Sequence, residues 1–511
     1  MPDIPSEPEK YSIDEMMERL KNVPTGNPED GELVVRADGT QAIRVRKRKR
    51  RSSQPSKTDA KARSRSGGTR LAVGLALFFI VALGVGVALV YANSSTYRSS
   101  LIRSIEQVTG ANVKITQFRM NPKTANAGSL LLDWPEGNVV RSLALKGLTA
   151  EISPTSFLGG RMSGAEVTAL SGTLALQIPK EGQPLRHSPA LESVSSVPFK
   201  RYRVPVLDVT LGDPAAPMVR LLKSEASLNP DAIGGRSQLS LYQGELAMTH
   251  WPKLRLDRAL IEFHHQETDV ISLRVFHESA KKGFLELTGT IHPFDSQRTS
   301  TLAVTLDSFD MSGIIGPALG GVIAGEVDSL PVASSNFLSF VPVKDSSPVL
   351  NVSFRRNSSS NITLQGLPFL LALARTLEDS WFERPTFDGD SGGVIHREND
   401  RVSVRQIDLV SKSRMALQGE ISMTANRDLS GSLELGISEP MLDASVNARF
   451  QAMFGPEKNG FRWLTLKIGG SAAAPSDNFK ELFLAATPGQ KAAPTSDESR
   501  RSTFDELTRP K

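Results

Sequence analysis

The sequence predicts a mainly β protein in which a single N-terminal transmembrane helix precedes a long, curved antiparallel β-sheet with a few short helices. Three observations predict this class. Residues 71–92 carry no charged side chain, apolar and polar residues alternate in many segments after residue 110, and a glycine-centred unit recurs within those segments. Alternation with a period of two is typical of strands that bury one face.

Residues 71–92 have the length of a membrane span. As a helix, these 22 residues would extend roughly 33 Å, enough to cross a hydrocarbon core of about 30 Å. The preceding residues 44–70 contain 12 Lys or Arg and one Asp, which predicts a cytoplasmic N-terminus. A cleaved signal peptide is the alternative, but its apolar core would be only about 7–15 residues long and would not follow so long a leader. We therefore expect an uncleaved single-pass anchor.

The basic character of the chain is concentrated beside that span. The whole chain has a net charge of +5, and residues 44–70 alone carry more, so the remainder is net acidic. This distribution predicts a topology signal and no nucleic-acid partner. The basic run at residues 47–51 would also fit a nuclear signal or a patch that binds anionic lipid.

The two termini are polar. We expect residues 1–70 to form a mostly disordered cytoplasmic leader, with a short helix near residues 13–20 and a hairpin around the turn signal at residues 37–39. We expect residues 487–511 to form a disordered tail. The region between the span and the tail, residues 93–486, is the predicted β domain.

Helical spacing of apolar residues occurs in three places within this region. It predicts helices over residues 96–109, with Gly110 as the stop, over residues 368–380 and over residues 478–485. The remaining apolar residues alternate as strands do, and the clearest alternations are Val113 and Ile115; Leu143 and Leu145; Leu174, Leu176 and Ile178; Leu207, Val209 and Leu211; Leu302, Val304 and Leu306; Val402 and Val404; and Leu464, Leu466 and Ile468.

A five-residue unit with glycine at its centre recurs along these strands. Its glycines are Gly172, Gly289, Gly325, Gly419, Gly431 and, in the last copy, Gly470. Glycine inside a strand usually marks a bulge, a bend or a close backbone approach, so the recurrence predicts strands that bend at similar places in a curved sheet. The alternative is a set of ordinary glycine-rich turns in a β-sandwich.

The sharpest catalytic motif is Gly-Asp-Ser-Gly-Gly at residues 389–393, which matches the nucleophile motif of chymotrypsin-like proteases. His250 lies upstream, but its Met-Thr-His-Trp-Pro context does not resemble that of the protease histidine. Pro, which usually follows the motif, does not follow Gly393. A polar turn before a strand at residues 393–396 explains the motif better, so we expect no protease.

Other chemistry is absent from the sequence. The chain has no Cys, which excludes disulfides, Cys-based zinc sites and thiol catalysis. His264 and His265 would point to opposite sides of a strand, and the other histidines are scattered. No P-loop, dinucleotide fingerprint or His-Glu-x-x-His motif occurs. We expect no metal, no cofactor and no enzymatic activity.

Three blocks of this region resemble the AsmA-like family of inner-membrane-anchored periplasmic proteins. In the first block, a helix is followed by glycine, a small residue and an alternating strand, and then by a strand with a Pro-containing corner and a Leu-x-Gly element. The second block is a strand with a central glycine, followed by the next strand in the chain. The third block ends in glycine, small residues and proline. The blocks are residues 108–115, 148–154 and 157–160; residues 283–291 and 302–306; and residues 407–411, 419–421, 429–433, 468–470 and 475.

The resemblance implies a long curved sheet with an apolar inner face, either an open trough or an elongated half-barrel, related to bridge-like lipid-transfer proteins. It implies a periplasmic domain anchored in the cell inner membrane that binds or moves phospholipid, or supports outer-membrane integrity, with envelope proteins as possible partners. The candidate lipid-contacting residues on the inner face are Leu174, Leu176, Leu287 and Leu417. A single-pass signalling or scaffold protein with a β-rich extracytoplasmic sensor domain is the alternative.

Overall fold

The computed structural model describes most of the chain after residue 88. The described residues are 31–35 and 41–45 (backbone only), 87, 89–153, 163–178, 199–213, 215–233 (backbone only from 231), 236–263, 267–278, 282–293, 295, 297–331, 335–343, 346 and 348–487. The predicted span at residues 71–92 lies outside them except for Val87 and residues 89–92, which are helical. Within the described residues, no helix combines the length and apolar character needed to cross a bilayer.

Several other predictions also fall outside the described residues. They are the short helix near residues 13–20, the linker before the span, the Leu-x-Gly element at residues 157–160, His264 and His265, and the tail after residue 487.

The chain divides into two compact units, Met1–Leu83 and Gly84–Lys511. In the first unit, strands β1 (Gly31–Val35) and β2 (Gln41–Val45) pair antiparallel, with Leu33 opposite Ile43. This is the hairpin predicted around the turn at residues 37–39.

The second unit is mainly β, as predicted. Its strands are β3 (Asn112–Thr116), β4 (Arg119–Met120), β5 (Thr124–Asp133), β6 (Val140–Ile152), β7 (Gly164–Leu176), β8 (Phe199–Asp213), β9 (Ala216–Ile233), β10 (Arg236–Tyr242), β11 (Glu245–Met248), β12 (Leu254–Phe263), β13 (Thr268–His277), β14 (Phe284–Ile291), β15 (Ser300–Asp307), β16 (Phe309–Asp310), β17 (Ile323–Ala324), β18 (Glu326–Ser329), β19 (Phe337–Phe340), β20 (Val349–Arg356), β21 (Ile362–Leu364), β22 (Thr386–Phe387), β23 (Gly392–Glu398), β24 (Arg401–Ser411), β25 (Met415–Met423), β26 (Leu429–Ser438), β27 (Glu457–Lys458), β28 (Phe461–Ser471) and β29 (Ala474–Asp477).

Short helices interrupt these strands. They are α1 (Ser95–Thr109), α2 (Ser312–Gly320), α3 (Pro368–Leu377), a 3₁₀ helix (Ser380–Glu383), α4 (Glu439–Ala444), α5 (Ala448–Ala452) and α6 (Phe479–Ala485).

One large sheet contains nearly all of these strands, and strands that are neighbours in the sheet are mostly consecutive in the chain. The pairings run from β3 and β4 through β5, β6, β7, β8 and β9 to β10 and β11, then through β12, β13 and β14 to β15 and β16, β18 and β19, β20, β23, β24, β25, β26, β28 and β29. In some places two short strands lie end to end between the same two neighbours. Strands β10 and β11, for example, each pair with both β9 and β12. Among the described strands, every pair is antiparallel except the parallel pair of β7 and β8. Strands β17, β21 and β22 form a separate small sheet.

The large sheet has an apolar face that we define by its cross-strand rows. Each row consists of residues that lie directly opposite one another on neighbouring strands, and such partners lie on the same face of the sheet. The first row crosses β3 to β12, and the other rows cross the strands that follow. The rows are Val113, Leu132, Leu143, Leu174, Val209, Leu221, Leu246 and Leu254; Leu256, Val275, Leu285 and Leu306; Leu273, Leu287 and Val304; Leu302, Leu338 and Leu350; Val352, Ile395, Val404 and Ile421; and Leu409, Leu417, Leu435 and Leu464.

The predicted helices form close to their expected limits. Helix α1 begins after Ser94, whose side chain accepts a hydrogen bond from the Tyr97 N–H. It ends at Gly110, whose φ of 70° places it in the left-handed region that glycine adopts readily. Helices α3 and α6 begin side by side, because the Asp477 carboxylate accepts from the Phe369 N–H at 2.7 Å and from the Phe479 N–H at 3.0 Å.

The glycine-centred unit marks irregular positions at two of its copies. Gly419 (φ 130°) lies opposite Ile407, where the register of β24 shifts beside Gln406. Gly289 (φ 143°) lies opposite Val270, where the register of β13 shifts. Both glycines therefore occupy bulge sites, as the repeat predicts.

Substitution at Gly419 tests this role. A side chain there would have a strained backbone and would meet the Ser432 carbonyl oxygen, so we expect Gly419→Ala to destabilise the domain by about 1–3 kcal/mol. The control is Gly469→Ala, since a Cβ at Gly469 meets only the Ser476 hydroxyl at 3.3 Å. Thermal melts of both variants measure the difference, and equal melting temperatures would show that no bulge strain exists at Gly419.

Candidate functional site

The apolar face is half-buried at several positions in the first part of the sheet, which we call the proximal section (β3–β9), whereas Val113, Leu132 and Leu221 of the same face are buried. Leu143, Leu145, Leu174, Leu176 and Val209 all retain part of their solvent exposure there. A row of partly exposed apolar side chains on one face is a candidate surface for an apolar ligand. The proximal section is therefore the candidate functional site.

Helix α1 lies against the edge of this section. Ile102 and Ile105 pack on the small cluster around Val113 and Leu132. The Trp134 indole N–H donates to the Thr109 carbonyl at 2.9 Å, at the end of α1. The start of the site is thus held next to a helix that begins three residues after the predicted span.

Most of the apolar face is fully buried in the second part of the sheet, which we call the distal section (β12–β28), and Leu273, Leu287 and Leu338 are half-buried there. A second layer, made of α2, the small sheet, α3 and the 3₁₀ helix, packs on it. Helix α2 touches β13, β16 and β23, and β22 touches β24. Phe369, Phe382 and Phe387 of this layer are completely buried. The distal section therefore has an ordinary closed core.

The four predicted lipid-contacting residues all lie on the apolar face but in different surroundings. Leu174 and Leu176 lie together on β7 and are half-buried in the proximal section, and Leu174 packs at the margin of the main core. Leu287 on β14 is half-buried at the margin of the main core. Leu417 on β25 has 0 % exposure and contacts protein on all sides. Sequence alternation identifies the face, whereas it does not distinguish a half-buried leucine from a core leucine.

One buried charge on the apolar face was missed by the sequence analysis. Arg397 of β23 has 4 % exposure, and its cross-strand partners are the buried residues Leu350 and Val402. Burial lowers its pKa to about 10, against a smaller opposing effect of Asp400, so the guanidinium is charged at neutral pH. The signal in the sequence is the charged residue two positions after Ile395, at an inward position of the alternation.

The opposite face of the sheet carries charge clusters across β12–β14. Glu286 accepts hydrogen bonds from the Ser272 hydroxyl and from Arg274, the latter at 3.3 Å, and Arg258 lies 3.7 Å away. Burial raises the pKa of Glu286, but these hydrogen bonds and charges lower it more, so its pKa lies below the ordinary value. The sheet is thus amphipathic, with a leucine face and a charged face.

The protease-like motif has a structural role. The Ser391 hydroxyl is buried and accepts a hydrogen bond from the Val410 N–H at 3.0 Å. His250 pairs with Asp400 at 2.6 Å, beyond the other end of β23. The seven residues of β23 separate Ser391 from Asp400 by roughly 20 Å. Ser391 and His250 therefore form no catalytic pair, and the predicted turn and strand explain the motif.

No group of three or more His, Asp or Glu in the described part of the chain could hold a metal ion. No known protein family, curated protein or solved structure matches this chain.

Acid titration tests the charged face. Because the folded-state pKa of Glu286 is depressed, its ionised form stabilises the fold above its unfolded pKa of about 4.3, and that contribution is lost as the pH falls through the folded-state pKa. We expect Glu286→Gln to lower the melting temperature at pH 7. Near pH 3 the melting temperatures of the variant and the parent chain should become similar.

The matched control for this titration is Glu245→Gln, because the Lys223–Glu245 ion pair is exposed and contributes little. A difference between Glu286→Gln and the parent chain that does not change between pH 7 and pH 3 would contradict the assignment.

Proposed function

We propose that this chain is an inner-membrane-anchored, AsmA-like periplasmic protein that binds or moves phospholipid, or supports outer-membrane integrity, without catalysis. In this proposal residues 93–486 form the periplasmic domain, and the apolar face of the proximal section is a trough for acyl chains. The observation that carries the proposal is the half-buried leucine face beside α1, directly after the predicted span.

The dimensions of the proximal section suit acyl chains. Strand β7, with 13 residues, is roughly 43 Å long, and the five strands β5–β9 cover about 20–24 Å across. One leaflet of a bilayer is about 15 Å thick in its hydrocarbon part, so an extended acyl chain fits within this face. Each buried CH₂ contributes about 0.8 kcal/mol, so roughly ten methylenes supply about 8 kcal/mol before the costs of association.

The position of the site suits a ligand that comes from a bilayer. Two residues separate helix α1 from the predicted span, and the helix packs on the first strands of the sheet. In the proposed topology the half-buried face therefore begins close to the membrane surface. A lipid that leaves the bilayer meets the proximal section first.

A sensor or scaffold is the second candidate function. The observation that favours it is the closed core of the distal section, which has the burial of an ordinary structural domain. A sensor or scaffold requires no lipid at the proximal leucines, so lipid contact at these positions separates the two functions.

Photocrosslinking in intact cells tests the proposal. With radiolabelled phospholipid, we expect a photoreactive residue at position 174 or 176 of the full chain to form lipid adducts. The control is position 173, because Thr173 is exposed and points to the opposite face of the same strand. Equal labelling at positions 173 and 174, or none at either, would contradict lipid binding.

A charge in the trough provides a second measurement. We expect Leu174→Asp to reduce labelling at position 176 by about tenfold or more, because an unpaired carboxylate is costly against acyl chains. Thr173→Asp is the matched control and should leave the labelling unchanged.

A further inference from the structure

Basic side chains are concentrated at one end of the strands of the proximal section. The register places the β4–β5 turn beside the end of β6 and the starts of β7 and β8. We call this end of the sheet the basic end, and its residues are 119–124, 150–153, 163–167 and 199–203. It carries five Lys or Arg and two Glu, so its net charge is positive.

Most of this positive charge has no acidic partner. Arg119, Lys123 and Lys200 are exposed, and within the described residues of the basic end only Arg203 forms an ion pair, with Glu225 at 2.7 Å. The opposite end of the same strands carries three acids and two Lys or Arg, in residues 112–114, 131–141, 174–178 and 211–216. The two ends therefore differ in the sign of their net charge.

The last residue of the predicted span packs at the basic end. Ala92 has 4 % exposure and belongs to a cluster whose other buried members are Phe118, Met120, Ala125, Ala150, Ile152 and Phe199. Tyr97 stacks on Phe118 with ring centroids 6.3 Å apart, and Tyr202 meets Phe199 edge to face at 6.1 Å. Tyrosine is enriched where proteins meet the head-group region of a bilayer.

Asn93 fixes the geometry of this junction. Its Nδ2 donates to the Met120 carbonyl at 2.8 Å, and its Oδ1 accepts from the Met120 N–H, also at 2.8 Å. The same Nδ2 donates to the Leu89 carbonyl at 2.9 Å, one helical turn back. The Asn93 amide thus pairs with β4 as a neighbouring strand would, and it joins the end of the predicted span to the edge of the sheet.

The helical turn before Asn93 leaves apolar side chains uncovered. Val87, Val90 and Tyr91 have 64 %, 75 % and 55 % exposure. All three belong to the predicted span, where the hydrocarbon core and its interface would surround them. The basic end is therefore attached directly to the residues that leave the bilayer in the proposed topology.

We infer that the basic end is a docking surface for the head groups of anionic phospholipids in the bilayer that holds the span. Lys and Arg are attracted to an anionic membrane surface over about a Debye length, roughly 8–10 Å. Because the end of the span packs on the basic end itself, the exposed lysines lie where the bilayer surface begins. The inference rests on the membrane anchor of the proposed function and not on lipid binding by the apolar face.

Head-group quenching in the full-length chain tests this orientation. The chain has no Cys, so Asn121→Cys and Asn112→Cys each provide one site for a fluorophore, at exposed residues of the basic end and the opposite end. The probe is a vesicle of about three parts phosphatidylcholine to one part phosphatidylglycerol, with a quencher on some head groups. We expect strong quenching at position 121 and little at position 112, because the ten residues of β5 separate the two ends by roughly 33 Å.

Neutralising two exposed lysines tests the role of charge. Each basic residue near an anionic surface favours the docked state about fivefold, so we expect Lys123→Gln combined with Lys200→Gln to reduce quenching at position 121 several-fold. Vesicles of phosphatidylcholine alone should produce a similar reduction for the parent chain. Lys114→Gln combined with Lys146→Gln is the matched control, because these exposed lysines lie outside the basic end, and quenching should not change.

The outcomes separate docking from the proposed function. Equal quenching at positions 112 and 121, no quenching at either, or quenching at position 121 that does not depend on phosphatidylglycerol overturns docking, and lipid adducts at position 174 still report on the trough. Quenching at position 121 without lipid adducts at position 174 supports docking and overturns the trough. A full-length chain that does not float with the vesicles in a density gradient overturns the anchor, and docking with it.

Discussion

The agreement of register between neighbouring strands is the constraint on which the rest of the structure depends. A shift of one residue in any strand would move its leucines to the charged face, because side chains alternate with a period of two. The register instead places Leu132, Leu143, Leu174 and Val209 in one row across four strands. The apolar face, the second layer that packs on it and the candidate site all follow from this alignment.

The same face has two different environments along the sheet. In the proximal section several of its residues are half-buried, and in the distal section the second layer buries most of them completely. A leucine face releases similar free energy per unit area whether it packs on protein or on acyl chains, because both are apolar. The difference in burial between the two sections therefore depends on what packs against them, and not on their own composition.

Polar groups supply the specificity that leucines lack. On the outer face, cross-strand contacts such as that between Arg274 and Glu286 help to define the pairing of β13 with β14. On the apolar face, Arg397 binds two main-chain carbonyls and so defines where α2 and the β11–β12 loop lie. A directional hydrogen bond can select one arrangement among several of similar hydrophobic burial.

Local patterns in the chain were sufficient to locate about half of the strands, to identify the apolar side of the alternating ones and to place α1, α3 and α6 near their observed limits. These features depend on periodicity and capping, which neighbouring residues determine. Helix α2 and the burial of Arg397 were not predictable in this way. Five of the nine residues of the helix are Ser, Gly or Pro, which favour turns, and Arg397 stands in a strand like any exposed charge. Only the tertiary structure decides that Leu174 is half-buried and Leu417 is fully buried, because burial depends on a second layer formed by residues distant in the chain.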